Sequence, residues 1–270
     1  MTKSTPPPPE PTRSPSPTLS DSDDEPLTLS SSTLLALQSF LTEKQETEEK
    51  FERLRAAAHD EADQAAEDAE SERLKDELAA LSMDDFNEDW QLSQFWYDEE
   101  TAEKLAQEAI RQTKEGDAIV CVSAPTAFVS LKKLNPPKRR IVLLEYDRRF
   151  AVFSRDYVFY DYNNPLDLDE RSGSRPLHNQ FDFIIADPPF LSDECWTKTA
   201  QTVRWLAKTS PSTSSIKLES KLLVCTGQVM KSKLEAELDA KETHFDPRHK
   251  GGLANEFRCY ATYDSNFGFR

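Results

Sequence analysis

The sequence predicts an α/β fold: a doubly wound, seven-stranded, mostly parallel sheet behind a disordered and helical N-terminal extension. Three observations carry this. "AIVCVSA" from Ala118, "RIVLLEYD" from Arg140, "FDFIIAD" from Phe181 and "KLLVCTG" from Lys221 are apolar nearly throughout. Strands read that way, without alternation, when helices cover both faces of a parallel sheet. Polar or helix-like segments separate these runs, as crossover connections require. Finally, Met1–Asp85 holds 21 acids against 8 bases, whereas Phe86–Arg270 holds 28 against 25. The near-neutral block is long enough to bury one substantial core.

Residues 1–30 are dominated by Pro, Ser, Thr and acids. They cannot bury enough apolar surface to offset ordering entropy, so they are expected to be a disordered tail. Its Ser-Pro pairs are candidate phosphorylation sites, although a solubilising tail is the plainer reading. Residues 31–85 read as a helical, partly exposed extension. Leu34, Leu35, Leu37, Phe40 and Leu41 fall on one side of a helix opened by the Ser30–Thr33 cluster. That side can meet a partner or pack back on the main domain. Beyond Phe51, Ala, Glu and Asp dominate and apolar anchors are few.

Residues 86–270 form the main domain. "WQLSQFWY" is dense in aromatics. Asp98 then caps an amphipathic helix with Ala102, Leu105, Ala106, Ala109 and Ile110 inward, which Gly116 ends. Ser192 caps a second helix, with Trp196, Ala200, Val203 and Leu206 on one side, and "QVMKSKLEAELDA" makes a third. "YVFYDY" from Tyr157 is a further strand. The C-terminal stretch predicts two more, joined around Gly251–Gly252.

Several classes are excluded. No apolar run approaches the ~18 residues of a membrane span, and no apolar signal core opens the chain. Cys121, Cys195, Cys225 and Cys259 form no C-x-x-C pair, and the four histidines do not cluster with them. Buried free thiols in a reducing, cytoplasmic setting are expected, with no metal site. A net charge of −16 opposes a large nucleic-acid footprint. Neither G-x-G-x-x-G nor a Walker-type lysine loop occurs, so no phosphate cradle is visible.

A doubly wound sheet binds ligands at the carboxyl ends of its strands. The first run ends in "SAPT", where small Ser123 and Ala124 let a ligand approach the backbone. The second ends in "EYD", and an acid there suits a ribose diol. Asp161, Asn163 and Asn164 offer donors and acceptors fit for an adenine edge, although Asn-Asn-Pro is also turn chemistry. The fourth run ends in "DPPF". Two prolines leave two residues without backbone donors, so their carbonyls make a rigid, acceptor-only wall. Asp187 adds a carboxylate and Phe190 an aromatic face. Together they suit an N–H-bearing amine, held and aimed at a reaction partner. A strand terminator with a proline stop is the competing reading.

The motif resembles the [DNS]-P-P-[YFW] of amino methyltransferases, which names a reaction class and no substrate. "NEDWQLSQFWYDEETAEKLAQEAI", "CVSAPTAF", "LLEYDRRFAVFSRDYVFYDYNNPLDL", "FDFIIADPPFLSDECWTKTAQTV" and "LANEFRCYATYD" narrow it. These blocks, spanning about Asn87–Asp264, resemble the eukaryotic lysine methyltransferases of translation elongation factor 1-alpha. That family was once labelled as adenine-specific DNA methyltransferases. The proline-rich start and the Ala/Glu stretch have no such match, and the insert "KTSPSTSSIKLES" looks like a lineage-specific loop.

The resemblance implies a Rossmann-like class I methyltransferase using S-adenosyl-L-methionine, a cofactor without phosphate. It implies that Asp187, Pro188, Pro189 and Phe190 hold the target amine. Glu145 and Asp147 would hold the ribose, with Asp161 and Asn163 at the adenine. Ser123, Ala124 and Pro125 stand where other methyltransferases have a glycine-rich loop. Gln94 and Phe95 would close over the methionine end; Trp96, Tyr97, Asn255 and Glu256 would line the substrate side. Two rival readings stay open: an adenine methyltransferase acting on DNA or RNA, and a methyltransferase-like binding module.

Overall fold

In a computed structural model of the protein, the described residues are 30–63, 77–78, 80–89, 92–134, 136–168, 176–209, 218–253 and 255–270. The tail read as disordered and the centre of the 208–220 insert lie outside them.

The chain divides into two compact units, the second being Gln45–Arg270. Helix α1, Ser31–Asp63, crosses that division. The Ser30 hydroxyl accepts the Thr33 N–H at 3.2 Å, the predicted helix start. Leu34, Leu35, Leu37, Phe40 and Leu41 are exposed on it.

The second unit is built on one seven-stranded sheet. Its strands are β1 Ala118–Val122, β2 Arg140–Glu145, β3 Tyr157–Phe159, β4 Phe183–Ala186, β5 Lys221–Gly227, β6 Lys241–Glu242 and β7 Phe257–Ala261. The order is β3-β2-β1-β4-β5-β7-β6. The first five are parallel; β7 runs antiparallel between β5 and β6. The doubly wound, mostly parallel sheet expected from the apolar runs is borne out.

Among the described residues four helices cover it: α2 Glu99–Gln112, α3 Pro125–Leu134, α4 Asp193–Leu206 and α5 Lys231–Leu238. Side chains alternate across each strand. Ile119, Cys121, Leu143 and Ile185 face one core with Leu105 of α2 and Phe128 of α3. Val120, Val122, Leu144 and Ile184 face the other with Trp196 of α4 and Leu234 of α5. Every central strand is therefore apolar on both faces, which is why its sequence does not alternate. All four cysteines are buried and free. Asp98 and Ser192 cap α2 and α4 through the N–H groups of Thr101 and Cys195. One stop differs: α2 ends at Gln112, where the Thr113 hydroxyl returns to the Ala109 carbonyl at 2.7 Å. Gly116, at φ 91°, makes the following turn into β1.

The expected boundary at Phe86 cuts through a packed cluster. Phe86 stacks on Phe150 with centroids 4.2 Å apart and meets Phe51 at 4.9 Å. Phe51 and Leu54 are buried in the α2–α3 core alongside Leu81 and Met83. Two anchors among charged residues give too sparse a pattern to read as core; they count only once Phe86 reaches them. Leu54→Ala should therefore cost ~2–4 kcal/mol in urea unfolding, as core truncations do, while Leu35→Ala should stay within about 0.5 kcal/mol. Equal effects from the two would contradict this assignment.

Candidate active site

The strand order reverses between β1 and β4, and this switch point opens a crevice at the carboxyl ends of the strands. A cavity of about 580 Å³ lies there. Its size suits a cofactor or drug-sized ligand.

Each wall follows from a strand end. Ser123 turns the chain out of β1 at φ 51°, with its N–H donating to the Leu144 carbonyl at 2.8 Å. A left-handed serine is uncommon away from sites that use it. Pro125 begins α3, where a missing N–H costs nothing. Ser123, Pro125 and Thr126 line the cavity; Ala124 is fully buried beneath them.

Glu145 ends β2. Its carboxylate accepts the Asp147 N–H at 3.1 Å, and no side chain donates to it among the described residues. Burial drives its pKa up to about 7, against the opposing pull of the Asp147 and Tyr146 N–H groups. Asp147 lies outside the cavity lining. Its oxygens cap the following 3-10 turn through the Arg149 N–H and hold the Arg149 guanidinium at 2.6 Å. They also accept the Gln94 side-chain amide at 2.8 Å, and Gln94 does line the cavity. Asp147 therefore reaches the site through Gln94.

After β3, Asp161 accepts the Asn163 N–H at 2.9 Å and the Asn164 amide at 3.1 Å. The turn reading of "DYNN" is present, and Asp161 and Asn163 still border the cavity.

Asp187 directly follows β4, fixed by its own N–H donating to the Val122 carbonyl of β1 at 3.0 Å. Tyr97 is fully buried, and its hydroxyl donates to Asp187 Oδ2 at 2.6 Å. Oδ1 has no hydrogen-bond partner among the described residues. Asp187 is open to the cavity on one side and ringed by protein on the others. Desolvation raises its pKa to about 7, partly opposed by Tyr97 and reinforced by Glu145. Pro188 and Pro189 continue the wall, and Phe190 is 41% exposed at the mouth, 5.6 Å from Tyr162. Leu191 seals the loop against Gly227, where a Cβ would stand 2.7 Å from its side chain.

The aromatic segment before α2 makes the opposite wall. Gln94, Phe95 and Trp96 line the cavity, and the Trp96 indole is anchored on the Phe86 carbonyl at 2.7 Å. This segment pairs with residues 248–250. The Asp98 N–H donates to the Arg248 carbonyl and the Lys250 N–H to the Trp96 carbonyl, both at 2.9 Å. Asn255 lines the cavity; Glu256 turns away to the Arg258 guanidinium at 3.2 Å.

Sequence reasoning missed Tyr146, Tyr160, Tyr162, His249, Leu253 and Phe257, which also line the cavity. Tyr146 and Tyr162 lie inside "EYD" and "YDYNN", where the polar neighbours carry the stronger signal. His249 carries no local signal, because it reaches the site through pairing with Tyr97, 152 residues earlier in the chain. Among the described residues, no group of His, Cys, Asp and Glu is arranged to hold a metal ion.

Comparison with known proteins fits this geometry. A family profile described as "Probable N6-adenine methyltransferase" matches residues 88–265. The human EEF1A lysine methyltransferase 1 is 48% identical over 178 residues, 66% of this chain and 76% of that one. Its chicken counterpart is 40% identical over 237 residues, 88% of this chain and 94% of that one. The chain belongs to the EEF1A lysine methyltransferase 1 family. The resemblance read from its motifs is thus borne out. The protein-lysine N-methyltransferase EFM5 of Saccharomyces cerevisiae is 38% identical over 245 residues, 88% of this chain and 92% of that one. The profile's description names adenine and the relatives' names give lysine; both carry an amine.

Proposed function

We propose that this protein transfers methyl groups from S-adenosyl-L-methionine to the ε-amine of a lysine in translation elongation factor 1-alpha. One observation carries the reading: Asp187, held on Tyr97, offers a free carboxylate oxygen beside two residues without N–H groups, in a chain whose relatives are named for this activity.

The residues present fit the cofactor. Glu145 is a buried carboxylate with acceptor capacity left over, as a ribose diol demands. Asp161 and Asn163 offer an adenine edge its complement, and half-exposed Tyr146 offers its face a ring. Gln94, Phe95 and the Ser123–Pro125 turn are left for the methionine end. The cavity holds two acids of raised pKa, Glu145 and Asp187, suiting a cationic ligand. When bound, S-adenosyl-L-methionine supplies a methyl group on a positively charged sulfur, so no covalent enzyme intermediate is needed.

The chain's own residues prepare the nucleophile. Free lysine has a pKa of about 10.4, and the amine must be neutral to react. Desolvation in the cavity lowers that value, while an ionised Asp187 raises it. Asp187 therefore orients first: Oδ1 accepts one N–H of the amine and the Pro188 carbonyl offers a second acceptor. Titrating near neutrality, it then takes up the proton that the amine releases. Phe190, Trp96 and Asn255 border the lysine's approach, and Phe190 packs on its alkyl stem.

Incubation with isotopically labelled cofactor tests the reading. Label should enter elongation factor 1-alpha that lacks prior modification, on a lysine located by mass spectrometry, and not duplex DNA or RNA. Transfer to adenine alone would establish the nucleic-acid reading instead; no cofactor binding by calorimetry would make the fold a binding module. No helix of the described residues is long and apolar enough to cross a membrane.

A further inference from the structure

We infer that His249 is a positioning residue for methyl transfer: packed between Tyr97 and Phe257, it holds the Tyr97 hydroxyl on Asp187 and so aims the carboxylate at the target amine. The inference rests on the proposed function and adds to it a residue that no motif marks.

Three observations carry it. The His249 ring lies 4.7 Å from the Tyr97 ring and 4.8 Å from Phe257, edge-on to the latter at 81°. Tyr97 and His249 are also backbone partners in an antiparallel bridge, flanked by the Asp98–Arg248 and Trp96–Lys250 bonds. The ring is therefore fixed from below by main chain and from the side by Phe257 at the start of β7. Third, His249 lines the cavity next to the group it steadies.

Tyr97 needs such a brace. It precedes α2, outside any strand, and its hydroxyl reaches past the Cys225 thiol of β5 to Asp187. A tyrosine ring swings about two side-chain bonds, and a shift of about 1 Å in a catalytic group costs up to 10²-fold in rate. The imidazole is suited to packing because it stays uncharged: burial lowers its pKa to about 4, only partly offset by the Asp98 carboxylate. The titratable groups facing Asp187 are Tyr97, Glu145 and Cys225. Among the described residues the Tyr97 hydroxyl is the one group that favours ionised Asp187, so loosening it raises the Asp187 pKa.

The test compares His249→Ala, His249→Gln and His249→Phe by steady-state kinetics against pH and by calorimetry with S-adenosylmethionine. Alanine should lower kcat roughly 10- to 100-fold, move the limb where activity rises with pH toward alkaline, and leave cofactor affinity within a few-fold. Phenylalanine, which keeps both ring contacts, should restore most of the rate and the wild-type limb. In a cycle with Tyr97→Phe, the double variant should be no worse than the worse single one. Should the alanine variant not fold, glutamine must show the same loss and limb shift. An unmoved limb with only KM raised would overturn the inference, and so would additive losses. Failure of the wild-type chain to bind cofactor or methylate would instead sink the function beneath it.

Discussion

Replacing Asp187 with alanine is expected to abolish methyl transfer, by at least ~10³-fold, while cofactor affinity falls no more than a few-fold. The separation follows from the layout. Asp187 stands at the end of β4, while the cofactor's ribose is assigned to Glu145 at the end of β2, with β1 between them. Asp187→Asn keeps an acceptor for the Tyr97 hydroxyl but loses charge, so it should fall between wild type and alanine. Single-turnover transfer and calorimetric binding separate the two quantities. An alanine variant with wild-type turnover would remove Asp187 from the chemistry. In the wild type, kcat/KM for the cofactor should rise with pH through about 7, as Asp187 of the free protein ionises.

Glu145→Gln is the second large effect, and it points two ways. Losing a charged acceptor pair for the ribose should weaken cofactor binding about 10²-fold, at ~1.5–3 kcal/mol per charge-assisted bond. The cofactor-free protein should meanwhile become more stable at alkaline pH. Glu145 has a folded pKa of about 7, above its ordinary 4.5. A raised pKa means the folded state binds the extra proton. That stability is fully present below 4.5 and is lost as pH rises through about 7. The penalty above pH 7 is on the order of 3 kcal/mol, and glutamine does not incur it. Melting midpoints of variant and wild type without cofactor should nearly coincide at pH 4 and separate by pH 8, the variant higher. A wild type as stable as the variant at pH 8 would show that the buried charge is not strained. Cofactor should close the gap for wild type alone.

Much of this was legible in the sequence, for a physical reason. Strands buried on both faces cannot hide: "AIVCV", "IVLLE" and "LLVCTG" announce the sheet, and residues just after them are placed by topology alone. Glu145, Asp161 and Asp187 reach the cavity that way. What was not legible depends on contacts between distant segments. The stem of α1 at Phe51 and Leu54 belongs to the core because Phe86 meets it, not because of any pattern of its own. Asp147, read as a ribose ligand, spends its oxygens on Arg149 and Gln94, a choice made by side-chain geometry. Tyr97, expected on the substrate side, rests its hydroxyl on Asp187. His249 was invisible because pairing with residue 97 is a property of the closed fold.

That pairing of residues 96–98 with 248–250 has a consequence for synthesis. The wall beside Asp187 joins a segment before the first strand to one before the last, so nearly the whole sheet must be threaded before the two can touch. Contacts so far apart in sequence form late. As the chain leaves the ribosome from its N-terminus, β1 to β5 can pair while the Tyr97 segment still waits for the loop before β7. Competence to react is then the closing event of maturation, and a chain truncated before Lys250 should show sheet structure without a working site.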